Sequence, residues 1–456
     1  MRSVTLNGAY PRLAWLTRRL NLAVSALALG MLIDAPRAHA IDTDTSNADG
    51  LNIETVATRE RLKVWDNAQH YGAGTVSEIQ RRYAMPDGMR LGNYAVISNA
   101  GAVVVFDDNI FAIESDKQSD IRSELTPSIK FKSDLPRHVL DFSLDGKIVN
   151  YAEHSDQDYA NYRATVDTAL HFDAAHTLSA SFGTLLKHEE RDDPLALFTA
   201  AGPIPVFEHR AAIGITRDVG RLYGTISAVA ERRQYSDVQS IFGATLDETS
   251  RNTDTFSSQV KAGYRFSPGF EFVSKMRVLQ MDNQGNAFGN RDAWGYEAVA
   301  GLAFQTNPLL RWRVVGGFGV RDYASAKLDD IQTSLLEAEV QWLPTDRLTI
   351  YGTLNRQIEE ALDLNSSAVV QSSVKVRADY EIYHNLVLSG ALELRNDDFK
   401  GTSRQDDVYT AHLGLDYYFT KNWLFTFGYD HQVRDSSDDT LDMNRNRFMI
   451  GAKLRF

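Results

Sequence analysis

Residues 446–456 (NRFMIGAKLRF) set Phe448, Ile450, Ala452, Leu454 and Phe456 on one parity and Arg447, Met449, Gly451, Lys453 and Arg455 on the other. Side chains alternate across an extended strand, so this segment has one apolar face and one face carrying three cations. A transmembrane β-barrel places such strands with lipid outside and water inside. A soluble sandwich also shows an occasional half-buried strand, so recurrence decides between the two, and the pattern recurs along the chain.

The N-terminus supplies a route to the membrane. Arg12, Arg18 and Arg19 precede an apolar run from Leu20 to Ile33, followed by Ala38-His39-Ala40. This is the order of a secretory signal peptide, with residues 1–40 removed and the mature chain starting near Ile41. A spanning anchor is the competing reading, but the run is short and ends at Asp34. The chain has no cysteine, which excludes disulfides, thiol chemistry and a lipidated N-terminus. Its formal charge is -12, or -16 without the five arginines and one aspartate of residues 1–40. Such a balance argues against nucleic acid as a partner.

Residues 41–90 differ in character from the rest. Residues 41–50 are polar, and 54–83 carry short helical patterns, one starting at Thr75 with Glu78 as its capping-box partner. The segment reads as a periplasmic extension or a plug tucked into a barrel mouth, with a plain tether as the alternative. From about Leu91 the alternation predicts eighteen strands, with sixteen as the alternative count. They span 91–106, 121–133, 138–153, 159–173, 176–187, 206–218, 222–235, 252–266, 270–282, 292–305, 311–323, 332–342, 348–358, 369–382, 386–399, 406–419, 423–433 and 445–456. Short connections such as Ser267-Pro268-Gly269 alternate with longer polar ones such as 188–205 and 236–251. An even count with short periplasmic turns and long outer loops is the pattern of an outer-membrane barrel.

Several strands reveal their faces. Phe256, Val260, Ala262, Tyr264 and Phe266 oppose Gln259, Lys261 and Arg265, while Trp312, Val314, Phe318 and Val320 oppose Arg311, Arg313 and Arg321. Leu336, Ala338, Val340 and Trp342 oppose Glu337, Glu339 and Gln341, and Val374, Val376, Ala378 and Tyr380 oppose Lys375, Arg377, Asp379 and Glu381. The lumen-lining candidates are therefore the cations Lys261, Arg265, Lys275, Arg277, Arg313, Arg321, Lys375, Arg377, Lys453 and Arg455. Their matching anions are Glu297, Glu337, Glu339, Asp379, Glu381 and Glu393. Either these charges form cross-strand ion pairs that stiffen the wall, or they line a water-filled passage for polar or anionic solutes.

The outer connections carry acidic pairs at Asp107-Asp108, Glu189-Glu190, Asp192-Asp193, Glu359-Glu360 and Asp438-Asp439. None has EF-hand spacing, so they read as solvated loop charge and no metal is expected. His188 beside Glu189 and Glu190, and His154 near Asp156 and Asp158, would be candidates for a rim hydrolase. The chain lacks a Gly-x-Ser-x-Gly elbow and a His-Glu-x-x-His motif, so no enzyme and no cofactor are expected.

The run Val105-Phe106-Asp107-Asp108-Asn109-Ile110-Phe111 resembles an early strand end of the putative β-barrel porin 2 family of Gram-negative outer-membrane proteins. Ser119-Asp120, Thr126-Pro127-Ser128, Arg137-His138 and Tyr159-Ala160-Asn161-Tyr162 extend the resemblance, which covers about residues 91–456. Members of that family often accompany exopolysaccharide gene clusters, so the resemblance implies an accessory role in polysaccharide export and no site residues to carry over. The expectation is an all-β, transmembrane antiparallel barrel over 91–456 acting as a porin-like channel for polar or anionic solutes. A plugged structural or adhesin barrel and a rim hydrolase are the alternatives. Lipids and lipopolysaccharide of the outer membrane, the barrel-assembly machinery and polysaccharide export components are the expected partners.

Overall fold

A computed structural model describes residues 75–76, 88–193, 199–284, 291–361 and 366–456. The expected signal peptide, 1–40, lies outside the described residues, as does most of 41–90. Eighteen long strands form the wall: β1 (Tyr94–Asp107), β2 (Asp120–Ser133), β3 (His138–Tyr151), β4 (Tyr159–His171), β5 (His176–His188), β6 (Pro205–Val219), β7 (Leu222–Tyr235), β8 (Thr253–Ser267) and β9 (Phe270–Asn283), then β10 (Ala293–Asn307), β11 (Leu310–Tyr323), β12 (Ile331–Thr345), β13 (Leu348–Glu360), β14 (Ala368–Tyr383), β15 (Leu386–Phe399), β16 (Gln405–Tyr418), β17 (Trp423–Ser436) and β18 (Met443–Arg455). Each pairs antiparallel with its neighbours in sequence, and β1 pairs with β18 from Asn99↔Arg455 to Asp107↔Arg447. The sheet is closed, as eighteen expected strands require. A short strand, Met89–Leu91, folds back on the start of β1, so the first expected strand begins with a hairpin.

Local sequence explains the turns. Two-residue connections at 220–221, 268–269, 308–309, 346–347 and 384–385 gather at one end of the barrel. Gly269 has φ +78°, and a Cβ there would lie 2.9 Å from the Gln305 carbonyl oxygen, so only glycine fits. The connections at 108–119, 189–204 and 236–252 gather at the opposite, outer end. Two of these differ from the polar loops expected. Ala200 bridges Ser240, Ala201 N donates to Gln239 O at 2.7 Å, and Ile204 and Tyr235 pack with Val238 and Leu246. Apolar residues scattered through both loops bury each other, and this long-range pairing leaves no periodic trace in either loop.

Apolar and charged side chains alternate across the wall. Val260, Tyr264, Val314, Phe318, Trp342, Val376, Phe448 and Ile450 are exposed on the outer wall, while Lys275, Glu297, Arg313, Arg321 and Glu337 alternate with them and are buried within. A globular core is thus turned inside out, which is what a hydrocarbon solvent demands. At the short-turn end the outer rings of Phe266, Phe270, Phe304 and Trp312 stack in sequence, with centroids 4.9, 4.3 and 4.4 Å apart. This run forms one sector of an interfacial aromatic girdle.

Inside, Gly301 and Gly317 face each other's neighbours at close approach. A Cβ on Gly317 would fall on the Ala298 carbonyl oxygen, and one on Gly301 on that of Val314. Backbone cannot yield as a flexible side chain does, so Gly317→Val costs at least the ~1–3 kcal/mol of core overpacking. The expected outcome is loss of the fast-migrating folded band in a heat-modifiability gel at temperatures the parent barrel survives.

Candidate functional site

Alternation fixes which side chains enter the barrel, and strand register then brings them together. Lys275 on β9 reaches Glu337 on β12 with Nζ 3.3 Å from Oε1, across two intervening strands. Val299 of β10 stands opposite Lys275 and Val315 of β11 opposite Glu337, so the pair meets diagonally over the wall. Arg313 lies 3.6 Å from Glu337 and 3.3 Å from Glu339. A second chain runs from Arg277 to Glu297 (3.7 Å), to Arg321 (2.8 Å) and on to Glu360 (3.6 Å). Lys375 pairs with Glu393 at 3.7 Å and Arg377 with Asp379 at 2.8 Å. Arg265 meets Asp218, which the sequence reading did not name, at 2.7 Å. Lys261, Glu381, Lys453 and Arg455 form no ion pair among the described residues. Most candidate charges therefore neutralise one another across strands, and a few are left unmatched.

The strongest cluster was not in the candidate set. Asp107, at the outer end of β1, is fully buried and accepts from Arg445 Nη2 at 2.6 Å and from Arg122 Nη1 at 3.0 Å. Arg122 Nε also donates to Glu124 Oε1 at 2.8 Å. Asp108 receives both the backbone N and the side-chain Nδ2 of Asn446 at 2.7 Å. Asn109 Nδ2 donates to Ile113 O at 2.6 Å and to Asn444 O at 3.0 Å. The Asp107-Asp108-Asn109 run is thus a clasp between the first and last strands, not a solvated acidic pair. The available signal was that Arg122 and Glu124 share one parity with Asp107's partner strand, and Arg445 shares it on the last.

The rim pairs also differ from a hydrolase arrangement. His188 Nδ1 lies 2.8 Å from Asn161 Oδ1, and His154 Nδ1 lies 2.9 Å from Asp120 rather than near Asp156 or Asp158. Glu189 is buried and receives Arg251 Nη2, while Arg251 Nη1 donates to Glu248 at 2.9 Å. Two carboxylates share one guanidinium, with Asp193 close by. Burial, despite Arg251, pushes the Glu189 carboxyl up to about 7. Farther along this loop Asp192 Oδ2 stands 3.4 Å from Arg445 Nη1, so the connection after β5 reaches across the mouth to the closing strand. Of residues 41–90, Thr75 and Val76 are buried, and Val76 N donates to Thr349 Oγ1 at 3.0 Å. Thr349 pairs with inward-facing Asp379, so this contact lies inside the barrel. The helix expected from Thr75 lies, beyond Val76, outside the described residues.

A family model described as Putative beta-barrel porin 2 matches residues 83–456, the whole barrel. The chain belongs to this family. As a member of this porin family it is an outer-membrane, porin-like channel barrel, set among lipid and lipopolysaccharide and inserted by the barrel-assembly machinery. The curated proteins contain no match. Among solved structures, the outer membrane protein OpdK of Pseudomonas aeruginosa is 12% identical with a TM-score of 0.44, over 79% of this chain and 99% of that one. OccK2 (OpdF) of Pseudomonas aeruginosa is 9% identical with a TM-score of 0.47, over 81% and 100% of the two chains. OccAB4 of Acinetobacter baumannii is 11% identical with a TM-score of 0.44, over 79% and 98%.

Two outcomes follow for this porin barrel. Asp107→Ala leaves Arg445 and Arg122 buried without their carboxylate, and the expected loss is ~3–5 kcal/mol, read as a shift in the urea midpoint of tryptophan fluorescence. Glu189 has a raised folded value, so its stabilisation is complete below about 4.5, its ordinary value, and is lost as pH rises through about 7. Hydrogen exchange of residues 199–204 and 238–246, corrected for intrinsic rate, should rise across that window in the parent and stay flat in Glu189→Gln.

Proposed function

We propose that this channel passes polar, predominantly anionic solutes, and that it serves as an accessory in exopolysaccharide export. The observation that supports passage is the wall itself. Inward charge runs from Arg265 and Asp218 near the short turns to Arg321 and Glu360 near the long loops, so a hydrated solute meets polar groups at every level. A closed wall of this strand number encloses room for an aqueous path when nothing fills it. Cross-strand pairing holds the charged side chains against the wall, which keeps the path polar without binding any solute tightly. The export role rests on the family's frequent company of exopolysaccharide genes. Its partners would be components of the polysaccharide export machinery.

One observation favours a regulated rather than a permanently open path. Thr75 and Val76 are buried inside the wall, Val76 through a hydrogen bond to Thr349, which supports reading the segment that carries them as a plug. Planar-bilayer recording tests both parts, using the full chain and a version lacking residues 41–87 that keeps the Met89–Leu91 hairpin. Current in the full chain is expected for an open path, and current only after deletion for the plugged one. Silence from both, with the folded band intact on a gel, would remove the channel role and leave a structural or adhesive barrel.

A further inference from the structure

The wall beside the seam holds a group of cations that the ion-pair network leaves out. Arg455 on β18 is 8% exposed, and its Nε and Nη2 have no hydrogen-bond partner among the described residues. Its guanidinium lies 5.3 Å from the Tyr418 ring centroid, a contact that orients the plane without satisfying the donors. Lys453, two residues earlier and on the same face, forms no ion pair or hydrogen bond among the described residues, and neither does Lys130 on β2. Buried guanidinium donors without an acceptor cost free energy, and native structures rarely leave them so without a reason.

Register shows how the three face one another. Arg455 stands opposite Asn99 of β1, which stands opposite Ser128 of β2, and Lys453 stands opposite Gly101, which stands opposite Thr126. Lys130 follows Ser128 on the inward parity of β2. Between the cationic strands, β1 therefore presents only Asn99 and Gly101 at these levels, so a trough runs along it. A Cβ on Gly101 would strike Thr126 Oγ1, so a larger residue there has to displace that hydroxyl. Asp145 and Asp416 lie near enough to be felt electrostatically but pair with none of the three, and Asp145 instead receives Ser128 Oγ at 2.7 Å. The trough has cations on both banks and amide and hydroxyl groups between, with Asp145 at its edge on Ser128.

We propose that Lys130, Lys453 and Arg455 form an oxyanion-binding station in the short-turn third of the lumen. Resting on the reading of the lumen as an anionic-solute path, it takes the carboxylate of an acidic sugar or a phosphate group. Arg455 supplies the fork that matches either group's paired oxygens, and the two lysines supply charge. An incoming oxyanion satisfies the donors that the folded wall leaves open. Its departure costs only what water and the flanking groups return, which suits transit rather than capture.

Equilibrium dialysis of the full chain, purified in detergent, tests the site with D-galacturonate, inorganic phosphate and neutral D-galactose. Binding of galacturonate, phosphate or both, weakened at least tenfold in Arg455→Gln and severalfold in Lys130→Gln, is expected, with galactose inert. The pattern across the two anions identifies which source of oxyanion the station prefers. Because changes in the closing strand can hinder assembly, Lys130→Gln on β2 carries the test if Arg455→Gln fails to give a folded band. Arg90→Gln, which alters only an exposed pair with Asp134, serves as the control and should bind as the parent does. Absence of anion binding by the parent, or equal binding by folded Lys130→Gln, overturns the site. Binding by a protein that is silent in bilayers keeps the station and removes the passage, and conductance without binding does the reverse.

Discussion

A strand in hydrocarbon has no water to accept its unpaired N–H groups, so the last strand of the sheet must find the first. The pairing of β1 with β18 is what every other feature presupposes. It sets an even strand count, puts the start of β1 and the end of β18 at the short-turn rim, and makes the interior a separate compartment whose side chains answer to one another. The polar wall can carry so many buried charges only because closure surrounds them with partners from several strands.

Those partners do not all lie on neighbouring strands. Lys275 meets Glu337 over two intervening strands, past Val299 and Val315. The resulting chains of charge, Lys275–Glu337–Arg313–Glu339 and Arg277–Glu297–Arg321–Glu360, each cross several strands and bind them laterally. Buried pairs of this kind add little net stability over an apolar core, but removing one member is expensive. Their worth to a channel is that they keep the surface hydrated and fixed. The cations beside the seam differ in kind, because among the described residues no carboxylate forms an ion pair with them.

Much of this was legible in the sequence because alternation with period two is a local signal. It located eighteen strands, their outward rows such as Val314 and Phe318, and inward rows such as Arg313 and Arg321. It could not reveal which charges meet, since Lys275 and Glu337 lie 62 positions apart and their meeting depends on barrel stagger. The packing of Ile204 and Tyr235 against Val238 and Leu246 was likewise hidden, because loop-to-loop burial has no period. Asp107 and Asp108 misled for a related reason. An acidic pair at a strand end reads as solvated until the strand bearing Arg445 and Asn446 is brought alongside it.

That clasp spans 338 positions of the chain, between Asp107 and Arg445, and it shares its strands with the backbone ladder that closes the wall. At the opposite rim Ser98 and Phe456 exchange two backbone bonds of 3.2 and 2.8 Å. Before the final strand is delivered Asp107 has only Arg122 of the neighbouring strand as its counter-charge. One arrival then satisfies the edge and the charge together. Reopening must undo both at once, so the seam works as a latch, slow to form for reasons of topology and slow to release for reasons of electrostatics.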